Sequence, residues 1–166
     1  DIALIGVLED RNSINNIGSA LAPDAFRQKF YELNEGNYNT RIVDLGNIRA
    51  GHKVSDTYVA LKLLVAELIK KNILPVIIGG GQDLTYPQFM AYEELEQKVD
   101  LLVVDSHFDL DDNIDGTIET TSISYLNKIF LHEPNFLFNF SNIGYQTFYV
   151  NQESLKLMDK LYFDVH

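Results

Sequence analysis

Three observations in the sequence predict an α/β fold, a three-layer arrangement in which a mostly parallel sheet is covered by helices on both faces. Apolar runs alternate with segments of helical periodicity along the whole chain. Runs such as Ile2 to Val7 and Leu101 to Val104 are apolar at nearly every position rather than at alternate ones, the pattern of strands buried on both sides. Glycine-rich and acidic clusters follow directly after such runs, at the strand ends where sheets of this class bind ligands.

Ile2 to Val7 reads as the first strand, and Asn12 to Ser19, rich in Asn, Ser and Gly, as a loop. Pro23 suits a first helical turn and Asp24 favours its positive end, while Phe26, Phe30 and Leu33 recur on one helical face, predicting a helix of about ten residues. Glu35 to Asn39 is a turn into a strand over Thr40 to Leu45, closed by Gly46. Ser55 and Asp56 can cap the longest helix, roughly 56 to 71, whose buried stripe includes Val59, Leu63, Leu64 and Leu68. Asn72 and Pro75 stop it before a short strand, Val76 to Ile78. Gly79, Gly80 and Gly81 make a tight exit into a helix near Tyr86 to Leu95, and the strand Leu101 to Val104 follows. A helix over Ser122 to Phe130, a strand over Phe136 to Ile143 and a helix over Gln152 to Leu161 complete the pattern. Phe136, Phe138 and Phe140 alternate on one face of their strand, with Leu137 on the other.

Composition limits the function classes. A chain of 166 residues is expected to form one domain with a core that needs no staples, and it has no cysteine for disulfides, thiolate zinc sites or a cysteine nucleophile. The formal charge of −11, with 13 unclustered Lys and Arg, argues against a nucleic-acid partner. No apolar run is long enough to span a membrane and nothing at the start has the pattern of a signal peptide, so a cytoplasmic protein is expected. The first residue, Asp1, lies against an apolar run and His166 follows another, Leu161 to Phe163, which suggests a fragment.

Asp105, His107 and Asp109 stand at alternate positions after the Leu101 to Val104 run. If the backbone stays extended, all three point the same way and suit a divalent metal. Each also has a structural reading: the two Asp as caps of loops and a helix, His107 as a hydrogen-bonded histidine, and Gln82, after the glycines, as a satisfied buried amide. Asp111-x-Asn113-x-Asp115-Gly116 copies half of a calcium loop, but position twelve is Ser122 instead of Glu and a strand precedes it, so a solvated acidic turn is the better account. Walker, dinucleotide-binding and serine nucleophile motifs are missing from the sequence.

The order strand, Gly79-Gly80-Gly81-Gln82-Asp83, helix, strand, Asp105-Ser106-His107-Phe108-Asp109 resembles the ureohydrolases: arginase, agmatinase and especially formimidoylglutamase. Ala22-Pro23-Asp24-Ala25-Phe26-Arg27, Val43-Asp44-Leu45-Gly46 and Asn142-Ile143-Gly144-Tyr145 are weaker echoes, so the resemblance spans nearly the whole chain. It implies an arginase-like αβα domain, of which residues 1–166 are the amino-terminal part, and in active members a manganese pair that activates hydroxide against a guanidine or amidine carbon. By the same resemblance Asp105 bridges both ions, Asp109 binds one and His107 the other.

Gln82 stands where the family usually has a histidine ligand, and an amide oxygen is a poorer manganese donor than imidazole. The family's later Asp-x-Asp pair has no match, since Asp164-Val165-His166 lies too near Asp109, and the histidine usual after the Asp-x-His-x-Asp motif is missing, with His132 too late to serve. Two expectations therefore stand: a manganese-dependent hydrolase of linear amidines, incomplete or impaired in this chain, with Mn2+ held through Asp105, His107, Asp109 and Gln82 in the full-length protein; or a non-catalytic arginase-fold binding or assembly module that has lost the full site. The first implies a small amidine or guanidine substrate and no nucleic-acid or membrane partner. An exposed sheet edge would favour a homo-oligomer.

Overall fold

The computed structural model describes residues 1–34, 36, 37, 39–110 and 120–166. Strand β1 (Ile2–Leu8) is the centre of a parallel sheet, flanked by β2 (Ile42–Arg49) and β3 (Leu74–Ile78). Ala3, Ile5 and Val7 face α2 (Val54–Lys70), packing with Leu61, Val65, Ala66 and Leu68. On the opposite face α1 (Ala22–Phe30) comes close enough that Pro23 lies against Gly6. The lack of alternation in β1 thus has the expected cause: both of its faces are covered.

Several elements differ from expectation in extent. Strand β2 does not end at Gly46 but runs through it, because Gly46 adopts φ 78° and takes up the register shift opposite Leu4 to Gly6. Leu33 lies beyond the end of α1 and is exposed, so the helical face stops at Phe30. Helix α2 starts at Val54, and Asp56 acts from inside the first turn by accepting the Lys53 backbone N–H at 2.8 Å. Pro75 lies within β3, a strand paired with β1 alone among the described residues, where a missing N–H is tolerated.

A second parallel sheet has the order β4 (Val99–Val104), β5 (Leu137–Ile143), β6 (Asp164–Val165). Helices α3 (Thr85–Glu94), α4 (Tyr125–Phe130) and α5 (Gln152–Lys160) supply Phe89, Tyr125, Leu126, Ile129 and Met158 to the core over Val103 and Phe140. The predicted helix at 122 starts three residues later, behind Ser124. Covering by helices on both faces holds at β1, the centre of the first sheet, while Ile42, Val43 and Leu45 of its edge strand β2 are exposed. On the second, Leu102, Val104 and Ile143 share the face away from this core and are 59%, 76% and 45% exposed.

Phe136, Phe138 and Phe140 do not line one inward face: Phe140 is buried and Phe138 is 73% exposed. The register explains it, since Val99 pairs with Leu137 and Asp100 with Asn139, so Phe138 is the extra residue of a bulge. It turns out beneath Lys98, whose Nζ is 5.9 Å from the ring centroid. Among the described residues no helix is long and apolar enough to cross a membrane.

Two glycines at positive φ give a contrast that tests this geometry. A Cβ at Gly46 would meet nothing within 4 Å, whereas one at Gly80, with φ 71°, would lie 2.3 Å from the Glu9 carbonyl oxygen. Urea unfolding is expected to show Gly46→Ala costing about 1 kcal/mol, from backbone strain alone. Gly80→Ala is expected to cost about 3 kcal/mol or more, because overpacking adds to that strain.

Candidate functional site

The carboxyl ends of β1, β3, β4 and β5 carry the polar residues of interest. Strand β4 stops at Val104, where the Asp105 N–H still reaches the Ile143 carbonyl at 3.1 Å. The backbone then turns instead of staying extended: Asp105 Oδ1 accepts the His107 N–H at 2.9 Å, and Asp109 sits at φ 46°. The expected same-side projection of Asp105, His107 and Asp109 is therefore corrected. The short Asx turn places Asp105 Oδ1 3.6 Å from His107 Nδ1 and leaves Asp109 buried, while His107 is half exposed.

Gln82 opens a single 3-10 turn, Gln82–Leu84, after the three glycines. Its side chain is exposed, not the buried amide expected, and its Nε2 donates to Asp105 Oδ2 at 2.7 Å. Neither sequence spacing nor periodicity could show that contact, which joins the ends of strands belonging to two sheets. Burial pushes the Asp105 carboxyl up, but hydrogen bonds from Gln82 and the His107 backbone, with the nearby imidazole, outweigh it and hold the group below its ordinary value. Tyr125, buried beneath, is pushed well above the usual phenol range by burial and by the charges of Asp109 and Asp105. It stays a neutral phenol.

Other residues of the site went unnoticed in the sequence. Asn142, fully buried on β5, donates to the His107 carbonyl at 3.2 Å, and the Gln146 N–H bonds the Ser106 carbonyl at 2.9 Å. The Asn142-Ile143-Gly144-Tyr145 echo marked the right strand end without showing this role. Ser106 Oγ lies 2.8 Å from His107 Nδ1, and the Tyr149 ring stacks on the imidazole with centroids 5.0 Å apart. A cavity of about 70 Å³ lies between His107, Asp109, Tyr149 and Asn151.

At the end of β1, Glu9 is buried and receives Arg11 and the Thr57 hydroxyl, the latter at 2.8 Å. Arg11 also donates to the Gly51 and His52 carbonyls, each at 3.0 Å, tying the strand end to the loop before α2. Nearby, Tyr58 donates to Asp83 Oδ2, and burial, opposed by that bond, raises the Asp83 carboxyl above its ordinary value. His132, too late in the chain to match the histidine usual after the Asp-x-His-x-Asp motif, pairs with Glu93 at 2.8 Å.

Among the described residues no group of three or more His, Asp or Glu is gathered closely enough to hold a metal ion. The half calcium loop at 111–116 lies outside the described residues. What the arrangement offers is one carboxylate and one imidazole at near-ligating separation, with an amide on the carboxylate's other oxygen.

Fold and strand-end cluster together define the class: a parallel α/β protein with oxygen and nitrogen donors at adjoining strand ends. The chain belongs to the Arginase family, whose family model matches residues 1–165. A formimidoylglutamase of Staphylococcus haemolyticus is 29% identical over 114 residues, which are 65% of this chain and 37% of that protein. Among solved structures, a Trypanosoma cruzi formiminoglutamase with Mn2+ superposes with a TM-score of 0.87 at 19% identity, covering 99% of this chain and 59% of that one. The Bacillus subtilis formimidoylglutamase gives 0.83 at 21% identity, covering 99% and 54%. These identities speak for the fold, and the chain spans well under two thirds of its relatives' length.

The Glu9 pair makes a pH-dependent prediction. The Arg11 hydrogen bond, against the opposing effect of burial, depresses the Glu9 carboxyl below its ordinary 4.5. Its contribution is therefore present above that value and lost as pH falls through the lower folded one. Arg11→Met is expected to lower stability at pH 7, because the buried Glu9 carboxylate loses its strongest donor. In urea titrations run from neutral to acid pH the gap from wild type is expected to shrink.

Proposed function

We propose that this chain is the amino-terminal part of an arginase-family hydrolase that cleaves a C–N bond of a linear amidine such as formimidoylglutamate. The observation that carries the reading is the Asp105–His107 pair, with Gln82 bound to the same carboxylate at the junction of two strand ends. Two donors on one octahedral cation stand on the order of 3 Å apart, close to the 3.6 Å between Asp105 Oδ1 and His107 Nδ1. Carboxylate, imidazole and amide oxygen also suit manganese chemically. The residues present thus fit part of a manganese centre: Asp105 and His107 stand as its donors in this geometry, and Asp109 and Gln82 would join only by turning toward them.

When bound, the metal supplies activation of water and polarisation of the amidine. The chain's own residues do the rest. Asp105 is kept ionised by Gln82 and the His107 N–H, and Asn142 fixes the backbone that carries His107. The longer arginase-like domain is supported by the lengths of the relatives and by the open apolar face of Leu102, Val104 and Ile143. A non-catalytic module is the second reading, and one observation favours it: Gln82 stands where the family usually has a histidine ligand, and its side chain is engaged on Asp105.

The test is calorimetric titration of the full-length gene product with Mn2+, followed by assays on formimidoylglutamate, agmatine and arginine. Expected are micromolar or tighter binding, turnover of one substrate, and loss of binding by roughly 100-fold or more in Asp105→Ala, beyond the effect of removing an outer partner. Binding indifferent to Asp105→Ala, or no turnover by metal-loaded protein, selects the non-catalytic module. A cation shared with Asp105 must take His107 Nδ1 from Ser106. Ser106→Ala is therefore expected to tighten Mn2+ binding roughly 5-fold, the worth of one ordinary hydrogen bond.

A further inference from the structure

We propose that Tyr149 is a positioning residue that fixes the ring plane of His107, an inference that rests on the metal centre proposed above. A histidine side chain has two torsions to settle, and Ser106 engages only its Nδ1 edge. The second constraint comes from Tyr149, whose ring lies 5.0 Å from the imidazole, centroid to centroid, at 15° between planes. Burial does not account for Tyr149, since it is 63% exposed.

The loop that carries Tyr149 is fixed on both sides. Its own N–H bonds the Gln146 carbonyl at 2.8 Å, and the Gln146 N–H bonds Ser106, the residue before His107, at 2.9 Å. On the other side Val150 is buried in the second core, and Asn151 caps α5 by accepting the Ser154 N–H at 2.7 Å. Tyr149 is thus held beside the very backbone segment that presents His107. With one ring face against tyrosine and the Nδ1 edge toward Asp105, the imidazole is pre-set for a cation shared with that carboxylate.

The test uses the full-length gene product with Tyr149→Ala and Tyr149→Phe. Three quantities are read: Mn2+ affinity by calorimetry, His107 ring-proton shifts in the metal-free protein, and Tm. Tyr149→Ala is expected to weaken Mn2+ binding about 3- to 10-fold, the range of a lost aromatic stack, to move the His107 ring protons downfield as the shielding tyrosine is removed, and to leave Tm unchanged. Tyr149→Phe is expected to restore both affinity and shifts. Wild-type affinity in Tyr149→Ala overturns the proposal, as does a Tyr149→Phe that behaves like alanine, because the hydroxyl and not the ring would then be responsible. If wild type takes up no Mn2+, the metal centre falls, and the shifts decide the stack independently: unchanged in Tyr149→Ala overturns it, moved upholds it.

Discussion

Helix α3 has to satisfy two hydrophobic cores at once, and the rest of the structure depends on that constraint. Ala91 and, just before the helix, Leu84 are buried in the core over β1, while Phe89 is buried in the core over β4 and β5. The two sheets share no strand pairing among the described residues, so the side-to-side burial of one short helix is a main connection between them. Apolar positions on opposite sides of a helix are what such a shared element needs. Because α3 is fixed between the cores, the 3-10 turn that leads into it is fixed too, and Gln82 arrives within hydrogen-bond distance of Asp105.

From that junction outward, the acidic strand ends are managed by donors close at hand. Asp105 receives Gln82 and the His107 backbone, Glu9 receives Arg11 and Thr57, and Asp83 receives Tyr58. In two cases the result is a depressed carboxyl and in the third, Asp83, burial prevails. The distinction is physical: a charged or paired donor set stabilises the anion, whereas one phenol does not offset desolvation. Asp105 thus combines a depressed carboxyl with a partly exposed imidazole beside it.

Membership of the Arginase family gives this cluster its context and leaves its particular chemistry to this chain's residues. The amide of Gln82 acts on Asp105 rather than standing apart as a donor, and Ser106 occupies the imidazole edge that faces the carboxylate. The site lies where the core over β1 meets the second sheet, whose far face keeps Leu102, Val104 and Ile143 exposed.

The sequence by itself determined the alternation of strands and helices, the parallel sheet class and the strand ends that matter, because burial periodicity and glycine or proline punctuation are local and leave a local signature. It also marked Asp105 and His107 as neighbours. The tertiary structure alone decided where those side chains went. The Asx turn at Asp105 replaced the extended backbone that would have aligned Asp109 with them, the Phe138 bulge reversed an aromatic face, and Gly46 let β2 run past its expected end. Contacts between Gln82 and Asp105, and between Tyr149 and His107, join residues 23 and 42 positions apart. Such pairings depend on how packed elements bring distant loops together, and no periodicity in the chain encodes that.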